Sequence, residues 1–174
     1  LLAVGRLHEA KDYPNLFHAT EILLKQDDEH KNIYLFVVGD GDLRSELEHL
    51  ITEKKLSTQV HLLGRRSDIP QLMSAADLFI LSSSFEGFGL VVAEAMACQT
   101  YVVATDCGGV KEVMGDTGIL VQPKNSLDLA QALMRAINLS DVEVIHNNMR
   151  ALKHVSKNFD LKNIVTKWLE IYAK

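Results

Sequence analysis

Two glutamates, Glu86 and Glu94, flank a pair of glycines in the stretch FEGFGLVVAEAM, residues 85–96. Packing alone would be satisfied by apolar residues there. Gly87 and Gly89 let the backbone turn tightly and approach a ligand closely, and a helix beginning near Leu90 would offer the N–H groups of Leu90, Val91 and Val92 to a phosphate. A phosphate repels a nearby carboxylate unless that carboxylate accepts from hydroxyls while cations neutralise the phosphate. A nucleotide sugar meets both conditions: Glu86, in the loop, would accept from sugar hydroxyls, and Glu94, in the helix, would take the two ribose hydroxyls. The matching cations stand in VGRLHEAK, where Arg6 follows Gly5 and Lys11 comes five residues later, just ahead of another helix start. Two cations beside free helical N–H groups make a diphosphate clamp. Each residue also has a plainer use when taken singly. Arg6 and Lys11 suit a solvated surface, Glu94 suits an early helical turn, and Glu86 suits an exposed loop.

These residues need a scaffold that brings loops together, and the chain supplies its pattern. Short apolar runs at 1–5, 33–39, 60–64, 78–83, 101–105 and 118–121 are apolar throughout, as strands buried on both faces of a parallel sheet are. Helical patterns separate them: Pro14 to Gln26 with Leu16, Ala19, Ile22 and Leu23 on one face, Leu43 to about Lys55 capped by Asp42, SDIPQLMSAA, and Leu90 to Cys98. After Val121 three helices close the chain. Leu127, Ala130, Leu133, Met134 and Ile137 mark the first, a capping box of Ser140 and Glu143 opens the second, and Leu161, Ile164, Val165, Trp168 and Ile171 stripe the third. The stripes read as core-facing, with docking on an upstream domain open to the last. The alternation predicts an α/β, Rossmann-like, doubly wound parallel sheet of six strands with helices on both faces, and such sheets bind ligands beyond their strands' carboxyl ends.

Other motifs are weaker. GDGDLR starts like a dinucleotide fingerprint, but Arg44 replaces its third glycine and Asp40 and Asp42 would repel a pyrophosphate, so a turn is expected. Ser82, Ser83 and Ser84 lack a nucleophile elbow and are expected to shape the strand end. The seven histidines (8, 18, 30, 49, 61, 146 and 154) show no metal spacing, and no metal or cofactor is assigned. Cys98 and Cys107 fit packing in a reducing compartment. With 18 Lys and Arg against 23 Asp and Glu, a net charge of −5 and no basic run, no nucleic-acid partner is expected. No apolar run is long enough to cross a bilayer and no signal sequence opens the chain, so a soluble, cytoplasmic protein is expected. LLAVGRL is already strand-like, which points to a domain upstream.

With these residues assembled, the chain resembles the C-terminal, donor-binding domain of the retaining family-4 glycosyltransferases, which have the GT-B fold of two facing Rossmann-like domains. The likeness lies in VGRLHEAKDYPNL, LFVVGDGDLRSELE, VHLLGRRSDIPQLMSAADLFILSS, EGFGLVVAEAMA, VVATDCGGVKEVM and TGILVQP, in the family's order. It implies that Arg6 and Lys11 neutralise the donor diphosphate and stabilise the leaving nucleotide without a metal. Glu86 would lie near the donor sugar and Glu94 on the ribose. Gly87, Phe88, Gly89, Leu90 and Val91 would form the turn whose amides meet sugar and phosphates. Arg65 and Arg66 would bracket the base, more through backbone than side chain. Gly108 and Gly109 match a glycine turn, and Glu112 a structural position. Ser82, Gln99 and Tyr101 depart from the pattern, Gln99 costing a helix its left-handed glycine cap. The resemblance implies a single domain, 1–174, with 155–174 a helix that docks on an absent N-terminal acceptor domain. The whole protein would move a sugar from a nucleoside diphosphate to an acceptor hydroxyl with retention, in polysaccharide, lipopolysaccharide or glycolipid synthesis. It would work in the cytoplasm or at the inner face of the cell membrane, and this fragment alone would be inactive. A sugar-nucleotide epimerase or a non-catalytic GT-B shell are the rival readings.

Overall fold

The computed structural model describes residues 1–26 and 32–172. His30 and the last two residues of the expected closing segment lie outside them. Six strands form: β1 (Leu2–Val4), β2 (Leu35–Val38), β3 (Val60–Gly64), β4 (Leu78–Leu81), β5 (Tyr101–Thr105) and β6 (Ile119–Val121). All pair in parallel in the order β3-β2-β1-β4-β5-β6. The chain runs outward from β1 in one direction, then restarts at β4 in the other. The reversal falls between β1 and β4, and in sheets of this kind the crevice between the loops that follow those two strands is where ligands bind.

Successive strand residues feed opposite faces, which explains why the runs are apolar without alternating. Ala3, Val37, Ile80 and Val103 join one core, and Leu2, Val38, Phe79, Leu81, Val102 and Ala104 join the other. The first core is covered by α1 (Tyr13–Gln26), α2 (Arg44–Glu53) and α6 (Ser126–Ile137), through Leu16, Phe17, Leu23, Leu47, Leu129 and Leu133. On the second face lie α3 (Ile69–Ala75), α4 (Leu90–Ala97), α5 (Val110–Met114) and α7 (Asp141–Asn158), anchored by Met73, Val92, Met96, Val113 and Val155. The Ser140 and Glu143 capping box forms as expected at the head of α7.

Several expectations are corrected. Asp42 does not cap α2: the helix starts at Arg44, Leu43 holds the capping position without a side-chain bond, and Asp42 sits one residue too early. In α6, Leu127 is exposed and Leu129 takes its place in the core, because the buried stripe is set by α1 packed alongside. Phe36 and Leu63 are exposed, since β2 and β3 lie toward the edge where helical cover thins. The five-residue α5 was not read from the sequence at all. The last helix, α8 (Leu161–Tyr172), packs against α7 and leaves Leu161, Val165, Trp168 and Ile171 exposed. Its stripe is not core-facing here, because both faces of the sheet are already covered when the chain reaches it. No described helix is long and apolar enough to cross a membrane.

Candidate functional site

The crevice at the reversal is built first by backbone. Gly5 follows β1, and its N–H donates to the Val38 carbonyl while the Tyr13 hydroxyl donates to its own carbonyl at 3.1 Å. A β-carbon on Gly5 would lie 3.0 Å from Cε of Lys11, so the glycine makes room for the lysine stem to cross the strand end. A 3-10 turn, Glu9–Lys11, capped by Nδ1 of His8, aims that lysine across the crevice. GDGD is the expected turn: Gly39 has φ of 140° and lies so close to the Gly5 carbonyl that no side chain fits between them.

Lys11 meets Glu86. Its Nζ forms an ion pair with Glu86 Oε1, the side chains being 20% and 14% exposed, and Ser83 Oγ donates to the same carboxylate oxygen at 2.9 Å. Glu86 is thus neither a plain surface residue nor free to swing. Ser82 Oγ donates to the Lys11 carbonyl at 2.8 Å and Ser84 N–H to the Ala10 carbonyl at 2.9 Å, so the serines tie the loop after β4 to the turn after β1. Ser83 is held from below: its carbonyl accepts from Thr105 Oγ1 at 2.6 Å and Cys107 Sγ at 3.3 Å. Burial, then the charge of Glu86, pushes the Tyr13 phenol well above its ordinary pKa, and burial likewise raises the Cys107 thiol. Both stay neutral and act as donors.

The glycine turn after Glu86 leads into α4. Gly87 has open space around it, and Gly89, in the left-handed conformation at φ of 83°, holds the capping position without a side-chain cap. The N–H groups of Leu90 and Val91 precede any intrahelical acceptor and face outward from the helix start. Val92 does not join them, because its N–H already donates to the Gly89 carbonyl at 2.9 Å. Gly108 and Gly109 support the turn from beneath. Gly108, at φ of 54°, presses against the Glu86 carbonyl, and Gly109 N–H donates to the Gly87 carbonyl at 3.1 Å. Phe88 packs edge-on against Phe159 at 5.2 Å. Glu94 is exposed on the next turn of α4.

The remaining candidates are looser. Arg6 is 69% exposed and lies 3.7 Å from the Asp42 carboxylate, beside the crevice. Arg65 is exposed, and Arg66 binds Asp68 with two hydrogen bonds, 2.9 and 2.6 Å, which raise the arginine pKa and lower that of the aspartate. Both follow β3, two strands from the Lys11 and Glu86 pair. Glu112 lies on α5. Among the described residues no group of His, Cys, Asp and Glu could hold a metal ion. Sequence reasoning missed Tyr13, Thr105 and Cys107 as supports of the site. The apolar run VVAT ending in a buried threonine was the available signal, since a hydroxyl on an otherwise apolar strand must find an acceptor.

Residues 1–155 match the family model described as "Glycosyl transferases group 1". N-acetyl-alpha-D-glucosaminyl L-malate synthase of Bacillus anthracis is 35% identical over 142 residues, which are 79% of this chain and 36% of that protein. The chain thus spans little more than a third of that relative's length. Among solved structures, Anabaena Alr3699/HepE in complex with UDP superposes with a TM-score of 0.86 at 31% identity, covering 99% of this chain and 48% of that one. The C-terminal domain of a glycosyl transferase group 1 family protein (LpcC) from Francisella tularensis gives 0.79 at 26% identity, covering 92% of this chain and 86% of that one. The six-stranded parallel sheet is that of GT-B glycosyltransferases, and with nine-tenths of its sequence inside the family match the chain belongs to the group 1 glycosyltransferases.

Proposed function

We propose that this chain is the donor-binding domain of a retaining, family-4 glycosyltransferase, holding a nucleoside-diphosphate sugar that the whole protein transfers to an acceptor hydroxyl. The observation that carries the reading is the Lys11 and Glu86 pair fixed across the sheet reversal, beside the free N–H groups of Leu90 and Val91. The diphosphate lies against Arg6, Lys11 and the start of α4, whose charges and dipoles stabilise the nucleotide as the bond to the sugar breaks, with no metal required. Lys11 is held at the right height by Glu86, so little reorganisation precedes binding. Glu86 keeps its second oxygen for a sugar hydroxyl, and Glu94 takes the ribose diol. Gly5, Gly87, Phe88 and Gly89 shape the floor, and the loop bearing Arg65 and Arg66 brackets the base. UDP is the nucleotide of first choice, on the likeness to the UDP-bound Anabaena protein.

In the whole protein, α8 docks on an acceptor domain across the cleft through its exposed Leu161, Val165, Trp168 and Ile171, and transfer requires both domains. The acceptor belongs to polysaccharide, lipopolysaccharide or glycolipid synthesis, and the setting is the cytoplasm, with peripheral association at the inner membrane face. Calorimetric titration with UDP, GDP and ADP, with and without magnesium, tests the site. UDP binds without magnesium; Lys11→Ala weakens UDP about tenfold to a hundredfold, as loss of a charge-assisted bond does, and leaves uridine unchanged. Glu94→Ala weakens both. Equal losses of UDP and uridine in Lys11→Ala would remove the phosphate role from Lys11, and no binding by any nucleotide would overturn the donor reading.

A further inference from the structure

A line of hydrogen bonds runs from β5 to the Glu86 carboxylate, and it begins at Thr105, a fully buried side chain that touches none of the crevice. The paired register of β4 and β5 ends with Leu81 opposite Ala104. Past that point the Thr105 hydroxyl donates to the Ser83 carbonyl at 2.6 Å, the Leu81 carbonyl at 3.4 Å being its poorer partner, and Cys107 Sγ adds a weaker bond to Ser83 at 3.3 Å. A side-chain rung thus continues where strand pairing stops, and it fixes Ser83 above the strand end. Ser83, itself fully buried, then donates from Oγ to Glu86 Oε1 at 2.9 Å.

The effect on Glu86 is directional. Lys11 Nζ and Ser83 Oγ both engage Oε1, and among the described residues no hydrogen bond goes to Oε2. Rotating the carboxyl would break both bonds, so Oε2 keeps one heading. The two donors are not equivalent, because Lys11 sits on a flexible stem and its ammonium carries three protons that a bound diphosphate also attracts. Ser83 has no such competing claim. Once a diphosphate draws on Lys11, the bond from Ser83 is the one that still holds the carboxylate in place, and Ser83 is held by Thr105.

We propose that Thr105, acting through Ser83, is the positioning residue that aims the free oxygen of Glu86 at the sugar to be transferred, so that a hydroxyl out of the donor's reach sets affinity for its sugar half more than for its nucleotide. The proposal rests on the reading of the crevice as the donor site. A threonine that served only the stability of the loop would affect both halves alike.

Calorimetric titration compares UDP with UDP-glucose and UDP-N-acetylglucosamine in the parent chain and in Thr105→Val, Thr105→Ser and Ser83→Ala. Thr105→Val keeps the shape and removes the proton, so affinity for the sugar nucleotide that the parent binds better falls about fivefold or more beyond any change in UDP affinity, as loss of one hydrogen bond does. Thr105→Ser restores the parental ratio of sugar-nucleotide to UDP affinity, although it lacks the methyl group. Ser83→Ala leaves the carbonyl bond from Thr105 in place and reproduces the ratio of Thr105→Val; it carries the test alone where Thr105→Val does not fold. Equal losses of UDP and sugar nucleotide in these variants, no recovery in Thr105→Ser, or a parent that binds UDP and neither sugar nucleotide would each overturn the positioning role. Failure of the parent to bind UDP overturns the donor reading, and this proposal with it.

Discussion

At the scale of single residues, the site depends as much on what is absent as on what is charged. A methyl group on Gly108 would run into the Glu86 carbonyl, and its left-handed backbone already disfavours a side chain. Gly108→Ala therefore lowers UDP affinity more than tenfold, a loss of about 1.4 kcal/mol or more, and destabilises the fold by about 1–3 kcal/mol. Titration and denaturant unfolding of the same variant check both, and full UDP affinity in the variant would show that the Glu86 loop tolerates displacement. Glu86, Glu94, Arg6 and Lys11 stand out in the sequence only as a set, since each taken singly has a plainer structural use. Their partnership does not show there. Nothing in a linear reading says that Lys11 and Glu86, 75 residues apart, neutralise each other, since that follows from β1 lying next to β4. Ser83 and Thr105 were hidden for the same reason: a buried hydroxyl reveals its acceptor only after the strands are paired.

Elements were read more fully than contacts. The strands and long helices announce themselves through apolar runs and stripes, whereas α5 is too short to repeat its stripe and α8 carries one that this domain does not cover. Boundaries depend on single residues. The end of α4 is a case in point: Gln99 stands just past it in the left-handed region at φ of 58°, where glycine is the ordinary occupant, and the penalty for a side chain is about 1–2 kcal/mol. Gln99→Gly relieves that strain against a smaller entropic loss and raises stability by up to about 1 kcal/mol. The Asn148 side-chain bond to residue 99 goes to the backbone carbonyl at 2.8 Å and survives the change. Thermal and chemical unfolding measure the gain; a loss of stability would mean that the Gln99 side chain makes a contribution of its own.

On the scale of the whole molecule, the fold is tied together by charges that bridge elements as well as by its two cores. Glu21 on α1 binds Lys25 at 2.5 Å and Lys54, at the end of α2, at 2.9 Å, and these two ammonium groups hold its carboxyl down to about 2. Since its folded pKa lies below the unfolded value of 4.5, the stabilisation is complete above that value and disappears as pH falls toward about 2. The group lies at a water-screened rim, so the contribution is only about 0.5–1 kcal/mol. Denaturant midpoints for Glu21→Gln then fall below the parent near neutral pH and converge with it in strong acid; parallel curves would detach Glu21 from the acid limb.

The sheet itself is unevenly joined. β1 and β4 share one register pair, Leu2 with Phe79, where β4 and β5 share four. The two halves of the plate meet along this thin seam, and among the bonds that cross it above the strands are those of Lys11 to Glu86, Ser82 to Lys11, and Ser84 and Phe85 to Ala10. An occupant of the crevice thus acts as a splint. By gripping both loops it slows the parting of the halves, so that amide hydrogens deep in β1 and β4, which no ligand touches, exchange with solvent more slowly whenever the site is filled.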